Sequence, residues 1–288
     1  MRNRNHLLFF HFAFFTLHFS FCICSTALGR VKKTDMKAMV FAAGYGTRLH
    51  PATDRLPKAL IPVAGRPMIE YPLLLLKHCG IDEIIVNLHH LGEKIEAYLQ
   101  NGAKLGVKIS YSREKELLDT GGGLLRAKSF LRDGPFVVIN SDVLIDLSLR
   151  EAIEAHRSTN ATATLVLRQD ADADSYGAIQ ISADRRVQRF LSHERPGIGA
   201  AGPLAKYMFT GVQVLDPKIF DFMAEESAGS PFGITRVTYP KLVREGAALY
   251  GFPFGGFWQD LGTPERIGEA EEMLKRGKVK LHFLSNEK

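Results

Sequence analysis

The apolar run KAMVFAA, residues 37–43, stops at Gly44-Tyr45-Gly46, and this junction constrains the fold more than any other feature of the chain. A short buried run that ends in glycines reads as a first strand delivering a loop at its carboxyl end. Alternation follows. PMIEYPLLLLKHCG carries an apolar face and stops at Gly80, as a helix does, with Pro72 placed to kink it. EIIVNL is a second buried strand, GEKIEAYLQNG a helix, VKISYS a strand, GGGLLRAKSFL a helix and PFVVIN a strand. LREAIEAHRS then reads as a helix and ATATLVLR as a strand. Strands alternating with helices predict a Rossmann-like α/β fold, a mostly parallel but mixed sheet flanked by helices. Past Arg168 the texture changes. YGAIQI, RVQRFL and KYMFTGVQVL are strands without long helices between them, which predicts a small antiparallel lobe laid onto the sheet. PFGITRVTYPKLVREG and GTPERIGEAEEMLKRG read as the last helices, the second opened by Thr263 as N-cap and Pro264 in its first turn.

The 288 residues divide into a segment at 1–35, a body at 36–278 and a tail at 279–288. LLFFHFAFFTLHFSFCICSTALG lacks formal charge and follows Arg2 and Arg4, so residues 1–35 look like a secretory signal or marginal anchor. MKAMVFAAG resembles the natural start of a cytoplasmic α/β protein, and the favoured reading is an upstream start chosen in error, with a cytoplasmic body that meets no membrane. The net charge of +6 is uneven: Arg2, Arg4, Arg30, Lys32 and Lys33 against Asp35 leave the body near +2. A body this close to neutral argues against nucleic acid as partner. Cys22 and Cys24 lie in the leading segment and Cys79 alone in the body, so the body has neither a disulfide framework nor a cysteine metal site.

Gly44 and Gly46 let backbone N–H groups approach a ligand, with Arg48 just beyond and Lys58 ten residues later. Arginine offers a rigid fork and lysine a compact charge, a pair suited to polyphosphate. The sixth position of the turn, where the fingerprint has its third glycine, is Leu49, so the dinucleotide fingerprint fails, and no P-loop motif is present. The full run, G-Y-G-T-R-L-H-P-A-T-D-R-L-P-K-A-L-I-P-V-A-G-R-P-M-I over 44–69, resembles the signature of the sugar-1-phosphate nucleotidylyltransferases. It departs at Ala59, where proline is usual.

What that resemblance implies is an enzyme joining an NTP and a sugar-1-phosphate into an NDP-sugar and pyrophosphate, a step of cell-wall or polysaccharide synthesis. Arg48 and Lys58 would be the catalytic cations, Arg48 on the β- and γ-phosphates and Lys58 at the α-phosphate. Ala43, Gly44, Gly46 and Thr47 would hold the nucleotide, with Thr120, Gly121 and Gly122 of LDTGGG at its base. Asp142, just past PFVVIN, and Asp260, in FWQDLGTP, match the family's Mg²⁺ aspartates, and magnesium takes one or two carboxylates plus phosphates and water. Gly177, Glu194 and Thr210 match positions where the family grips the sugar, Glu194 in HERP where E-K-P is commoner. Compact chains of this kind resemble mannose-1-phosphate guanylyltransferases and N-acetylmuramate-1-phosphate uridylyltransferases, so GTP with mannose-1-phosphate and UTP with an amino-sugar or hexose phosphate both stay open, as does the oligomeric state. The rival readings are a non-catalytic regulator that senses NDP-sugars on the same fold, and a dehydrogenase. His89 and His90 read as strand neighbours facing opposite ways, structural or on the surface.

Overall fold

The computed structural model describes residues 34–170, 178–200, 202–223 and 229–284, all within the unit Val31–Lys288. The expectations for residues 1–33 and for Gly177 therefore lie outside the described residues. Among those described, no helix is long and apolar enough to cross a membrane.

The sheet is built around β1 (Lys37–Phe41), which pairs in parallel with β4 (Glu83–Leu88) on one side and β6 (Phe136–Asn140) on the other. β5 (Lys108–Arg113) adds in parallel to β4 and closes that edge. A two-residue ladder, β2 (Pro62–Val63) with β3 (Arg66–Pro67), stands apart. Beyond β6 the pairing reverses. The long strand β12 (Ala205–Leu215) runs antiparallel to both β6 and β8 (Ala163–Arg168), and β13 (Leu249–Pro253) is parallel to β8. Strands β1, β4, β6, β8 and β13 thus point the same way, and their carboxyl ends share one edge. The first part of β12 turns away to pair with β9 (Ile179–Ile181), which continues through β10 (Val187–Phe190) to β11 (His193–Glu194). This is the antiparallel lobe. Its hinge is a register shift in β12 at Gly211, whose φ of +83° favours glycine.

Strand alternation sends neighbouring residues to opposite layers. Ala38 and Val40 of β1 join a cluster with α1 (Glu70–His78), α2 (Gly92–Leu99) and α5 (Leu149–Ser158). Met39 joins another with α3 (Asp119–Arg126), α4 (Lys128–Leu131) and α6 (Tyr239–Arg244). Helices on both faces are what strands apolar on both faces require. Pro72 sits in the first turn of α1, where its missing N–H has no intrahelical partner to lose, so it does not break the helix. The run expected as one helix from Gly121 divides at Ala127 into α3 and α4. Before α6 the chain passes through a π-helical turn, Ile234–Thr238. The closing helix α7 (Pro264–Lys275) starts as expected, Thr263 Oγ1 accepting the Arg266 amide at 3.4 Å.

The stretch expected as a tail is docked as far as Leu284. Leu281 and Phe283 are buried with the core that contains α1. Leu73, Leu74, Leu75 and Leu76 are all buried, so α1 is apolar around much of its circumference and needs cover on its outer side as well. Phe283 lines a small gap there together with Tyr71 and Leu75.

Candidate active site

A cleft of about 330 Å³ opens at the carboxyl edge of the parallel strands. Loops following β1, β6 and β14 (Trp258–Asp260) supply its walls, together with the start of α3. That is where open α/β sheets place their ligands. Of the residues expected at a nucleotide, Ala43, Gly44, Gly46, Thr47 and Thr120 line it, as do Arg48, Lys58 and Asp142.

The glycine loop is held from below and from the side. The Ala42 amide donates to Asn87 Oδ1 at 2.8 Å, which fixes the strand exit. Gly46 adopts φ +67°, and a Cβ there would lie 2.8 Å from Lys58 Cβ and 2.9 Å from Thr53 Cγ2. Only glycine fits that turn with Lys58 packed so closely behind it. Thr53 Oγ1 donates to the Gly46 carbonyl at 3.1 Å. Tyr45 projects outward between His89 and His90, each ring centroid 5.4 Å from its own. The two histidines lie past the end of β4, not within a strand, and both reach the same tyrosine. His89 Nδ1 donates to the Glu114 carbonyl at 3.1 Å, which leaves Nε2 to accept the Tyr45 hydroxyl at 3.1 Å.

Lys58 and Asp142 form a direct ion pair, with side chains only 14% and 23% exposed. Asp142 stands in the turn between β6 and β7 (Val143–Ile145), and the Ser141 amide before it donates to the Phe41 carbonyl at 3.0 Å. β14 pairs antiparallel with β7, setting Asp260 opposite Val143, and the Leu261 amide donates to the Asp142 carbonyl at 2.9 Å. Two aspartates 118 positions apart in sequence are thereby brought together, Asp142 in the turn that opens β7 and Asp260 at the end of the adjoining strand. Asp260 is bound by Arg266 and lies 3.9 Å from Arg48, whose guanidinium passes close over Gly262. Three cations and two carboxylates therefore meet at one end of the cleft.

Gly121 and Gly122 are not brought to the cleft wall. Their amides donate to the Phe232 carbonyl at 2.8 and 3.2 Å, and side chains at either position would strike Phe232 or Ser230. Thr120 turns its hydroxyl to the Ile234 amide at 3.0 Å. In the lobe, the Thr210 hydroxyl donates to the Val166 carbonyl at 2.8 Å, Glu194 pairs with Arg189, and neither residue lines the cleft. Arg195, next to Glu194, is spent on the carbonyls of Gly246 and Ala247.

Sequence reading passed over Asn87, Glu114 and Asp119. Asn87 and Glu114 are buried; Asn87 Nδ2 donates to Glu114 Oε1 at 2.8 Å, and Glu114 Oε2 accepts the Leu118 amide at 2.9 Å. This pair ties the floor of the glycine loop to the Leu117–Thr120 wall. Asp119 lines the cleft at φ +57°, its Oδ1 accepting the Thr120 amide at 2.6 Å. An asparagine inside the apolar run EIIVNL was the available signal, since a buried amide must find partners.

Fold and cleft together define a Rossmann-like α/β protein with an anion-binding cleft at the carboxyl edge of its sheet. The model of the nucleotidyl transferase family matches residues 37–277, and the chain belongs to that family. It is 34% identical over 240 residues to a UTP–glucose-1-phosphate uridylyltransferase of Synechocystis sp., covering 79% of this chain and 60% of that protein. It is 32% identical over 234 residues to mannose-1-phosphate guanylyltransferase 1 of Arabidopsis thaliana, covering 80% and 62%. The chain thus spans about three-fifths of the length of these relatives. A crystal structure described as a candidate glucose-1-phosphate thymidylyltransferase from Bacillus anthracis, in complex with a sucrose, superposes with a TM-score of 0.72 at 26% identity. That match covers 86% of this chain and 99% of the other.

Proposed function

We propose that this protein is a sugar-1-phosphate nucleotidylyltransferase, which makes an NDP-sugar and pyrophosphate from an NTP and a sugar-1-phosphate. The observation that carries the reading is the meeting of Lys58–Asp142 and Arg48–Asp260 at the end of the glycine-loop cleft. A phosphate oxygen of the sugar-1-phosphate attacks the α-phosphorus, the bond to the α–β bridging oxygen breaks, and pyrophosphate leaves with that electron pair. The nucleophile is already largely ionised at neutral pH, because a phosphate monoester has its second pKa at about 6. No general base is required of the protein. Its task is to align two anions and to meet the charge that grows on the leaving pyrophosphate.

Backbone N–H groups of the glycine loop and Thr47 hold the triphosphate. Arg48 takes the β- and γ-phosphates, and Lys58, drawn from Asp142, faces the α-phosphate. Asp142 and Asp260 would hold Mg²⁺. No set of three metal-ligating side chains lies together among the described residues, and two carboxylates, one in the turn before β7 and one on the adjoining β14, suit an ion that completes its shell with phosphates and water. Bound there, Mg²⁺ supplies positive charge to the reacting phosphates. The relatives' names make GTP with mannose-1-phosphate and UTP with glucose-1-phosphate the first pairs to try. Dependence on nucleoside triphosphate puts the activity in the cytoplasm.

The test is pyrophosphate release across a panel of NTPs and sugar-1-phosphates, with and without Mg²⁺. One pair should turn over, only with the ion. Asp142→Asn and Asp260→Asn should each lose orders of magnitude in kcat while keeping the fold. Wild-type protein that binds an NDP-sugar but turns over no pair would instead support the regulator.

A further inference from the structure

Asp142 and Asp260 both depend on one short ribbon. β7 and β14 pair with each other and, among the described residues, with no other strand, three residues against three. Two strands of that length are marginal by themselves. A hairpin takes its register from its turn, but β7 and β14 lie far apart in the chain and share no turn. A slip of one residue would carry Asp260 to the opposite face of the ribbon. Some other contact must therefore set the register.

The ribbon is pinned at both ends. At the cleft, the Ser141 amide ties it to β1, and the Leu261 amide donates to the Asp142 carbonyl at 2.9 Å. At the far end of β7, about 13 Å away, the Asp146 amide donates to the Phe257 carbonyl at 3.0 Å. The Asp146 carboxylate is taken by the last turn of the described chain. Its Oδ1 accepts the His282 amide at 2.9 Å and His282 Nδ1 at 2.5 Å. A carboxylate only accepts, so Nδ1 carries the proton of that bond. The His282 ring is itself held, nearly perpendicular to the His78 ring of α1 with centroids 5.0 Å apart. Phe283, next along, lines one small gap with Val143 and Ile145 of β7. The final turn thus borders β7 along its side and holds its end, while no residue of it lines the cleft. The Asp146 and His282 side chains are 30% and 40% exposed. Pairs this wet add little to global stability, so the consequence of this one is local.

We propose that the carboxyl-terminal turn is a working part of the active site: His282, through Asp146, fixes the β7–β14 register that sets Asp142 beside Asp260. This rests on the proposed transferase activity, and it makes His282 a positioning residue for the metal ligands that touches neither substrate. Networked positions away from a site change its affinity about two- to thirtyfold.

The experiment compares wild type with His282→Ala, His282→Asn, Asp146→Ala and the double variant Asp146→Ala/His282→Ala. Hydrogen exchange is followed at the Leu261 amide, and affinity for Mn²⁺ alone is read by electron paramagnetic resonance. Pyrophosphate release is measured against Mg²⁺ concentration. His282→Ala should speed exchange at Leu261, weaken Mn²⁺ about two- to thirtyfold and raise the Mg²⁺ needed for half-maximal rate by the same factor. The KM for NTP and the melting temperature should hold. Asparagine places an N–H donor near the position of Nδ1, so His282→Asn should recover most of the loss. Because the two residues act as one unit, the double variant should be no worse than Asp146→Ala. Unchanged Leu261 exchange and Mn²⁺ affinity in His282→Ala would overturn the proposal. Additive losses in the double variant, or no recovery in His282→Asn, would overturn it as well, leaving the turn as packing only. A wild type whose Mn²⁺ affinity depends on His282 but which releases no pyrophosphate with any pair would overturn the transferase reading and leave this positioning role standing.

Discussion

Lys58 and Arg48 answer to different aspartates. Lys58 is three-quarters or more withdrawn from solvent and pairs with Asp142; Arg48 is 59% exposed and lies 3.9 Å from Asp260. In the proposed reaction the exposed fork would meet substrate first and keep its contact throughout, so much of its work would be done in the ground state. In the same proposal the enclosed lysine would face the centre where charge changes. An interaction equal in ground and transition states moves KM, and one made only in the transition state moves kcat. Arg48→Ala should therefore raise the KM for NTP as well as slow the reaction. Lys58→Ala should lower kcat about a hundredfold or more, as expected for one positioned charge donor, with a smaller change in KM. Steady-state kinetics in both directions checks this. Equal KM effects from the two variants, or unchanged kcat in Lys58→Ala, would reduce both residues to a binding clamp.

Between elements, the quiet organiser is the Asn87–Glu114 pair, which joins the end of β4 to the loop before α3. Glu114→Gln keeps the shape and removes the charge from the acceptor of the Leu118 amide. The Leu117–Thr120 wall should loosen, raising the KM for NTP about tenfold, on the scale of one charge-assisted bond, with kcat little changed. Faster hydrogen exchange at the Leu118 amide should accompany it; an unaltered amide would sever the link. This pair also marks the limit of what could be read beforehand. The glycine loop, the parallel strands and the Thr263 cap were legible, because each depends on residues close in sequence. That Asp142 and Asp260 belong together came from resemblance, and the physical cause is the β7–β14 register, a long-range pairing of two three-residue strands that carry no periodic signal. Glu114 was invisible for a similar reason, since a lone glutamate after VKISYS looks solvated until α3 packs over it. His89 and His90 were misplaced in a strand because β4 ends at Leu88, two residues short of His90.

At the scale of the whole molecule, acid should be a weakness. His156 of α5 is buried against Thr164 Oγ1 at 3.0 Å, and burial lowers its pKa from 6.5 to about 4. Unfolded protein takes up that proton below about pH 6.5 and the native state does not until about pH 4, so the unfolded state holds more protons in that window. Stability is then full above the unfolded value and falls as pH drops toward 4, by about 3 kcal/mol at most from this group. Urea unfolding as a function of pH should show this slope, and His156→Gln should flatten it; an equal slope in both proteins would exonerate the histidine. The central claim concerns which bond of the NTP is cut, and it is tested most directly by tracing label. With the active NTP and sugar-1-phosphate pair, label at the α-phosphate should appear in the sugar nucleotide and label at the γ-phosphate in pyrophosphate, in equal amounts and only with Mg²⁺. Label from the γ-phosphate recovered as inorganic phosphate or on the sugar would contradict the account, because the protein would then be cutting at the wrong end of the triphosphate.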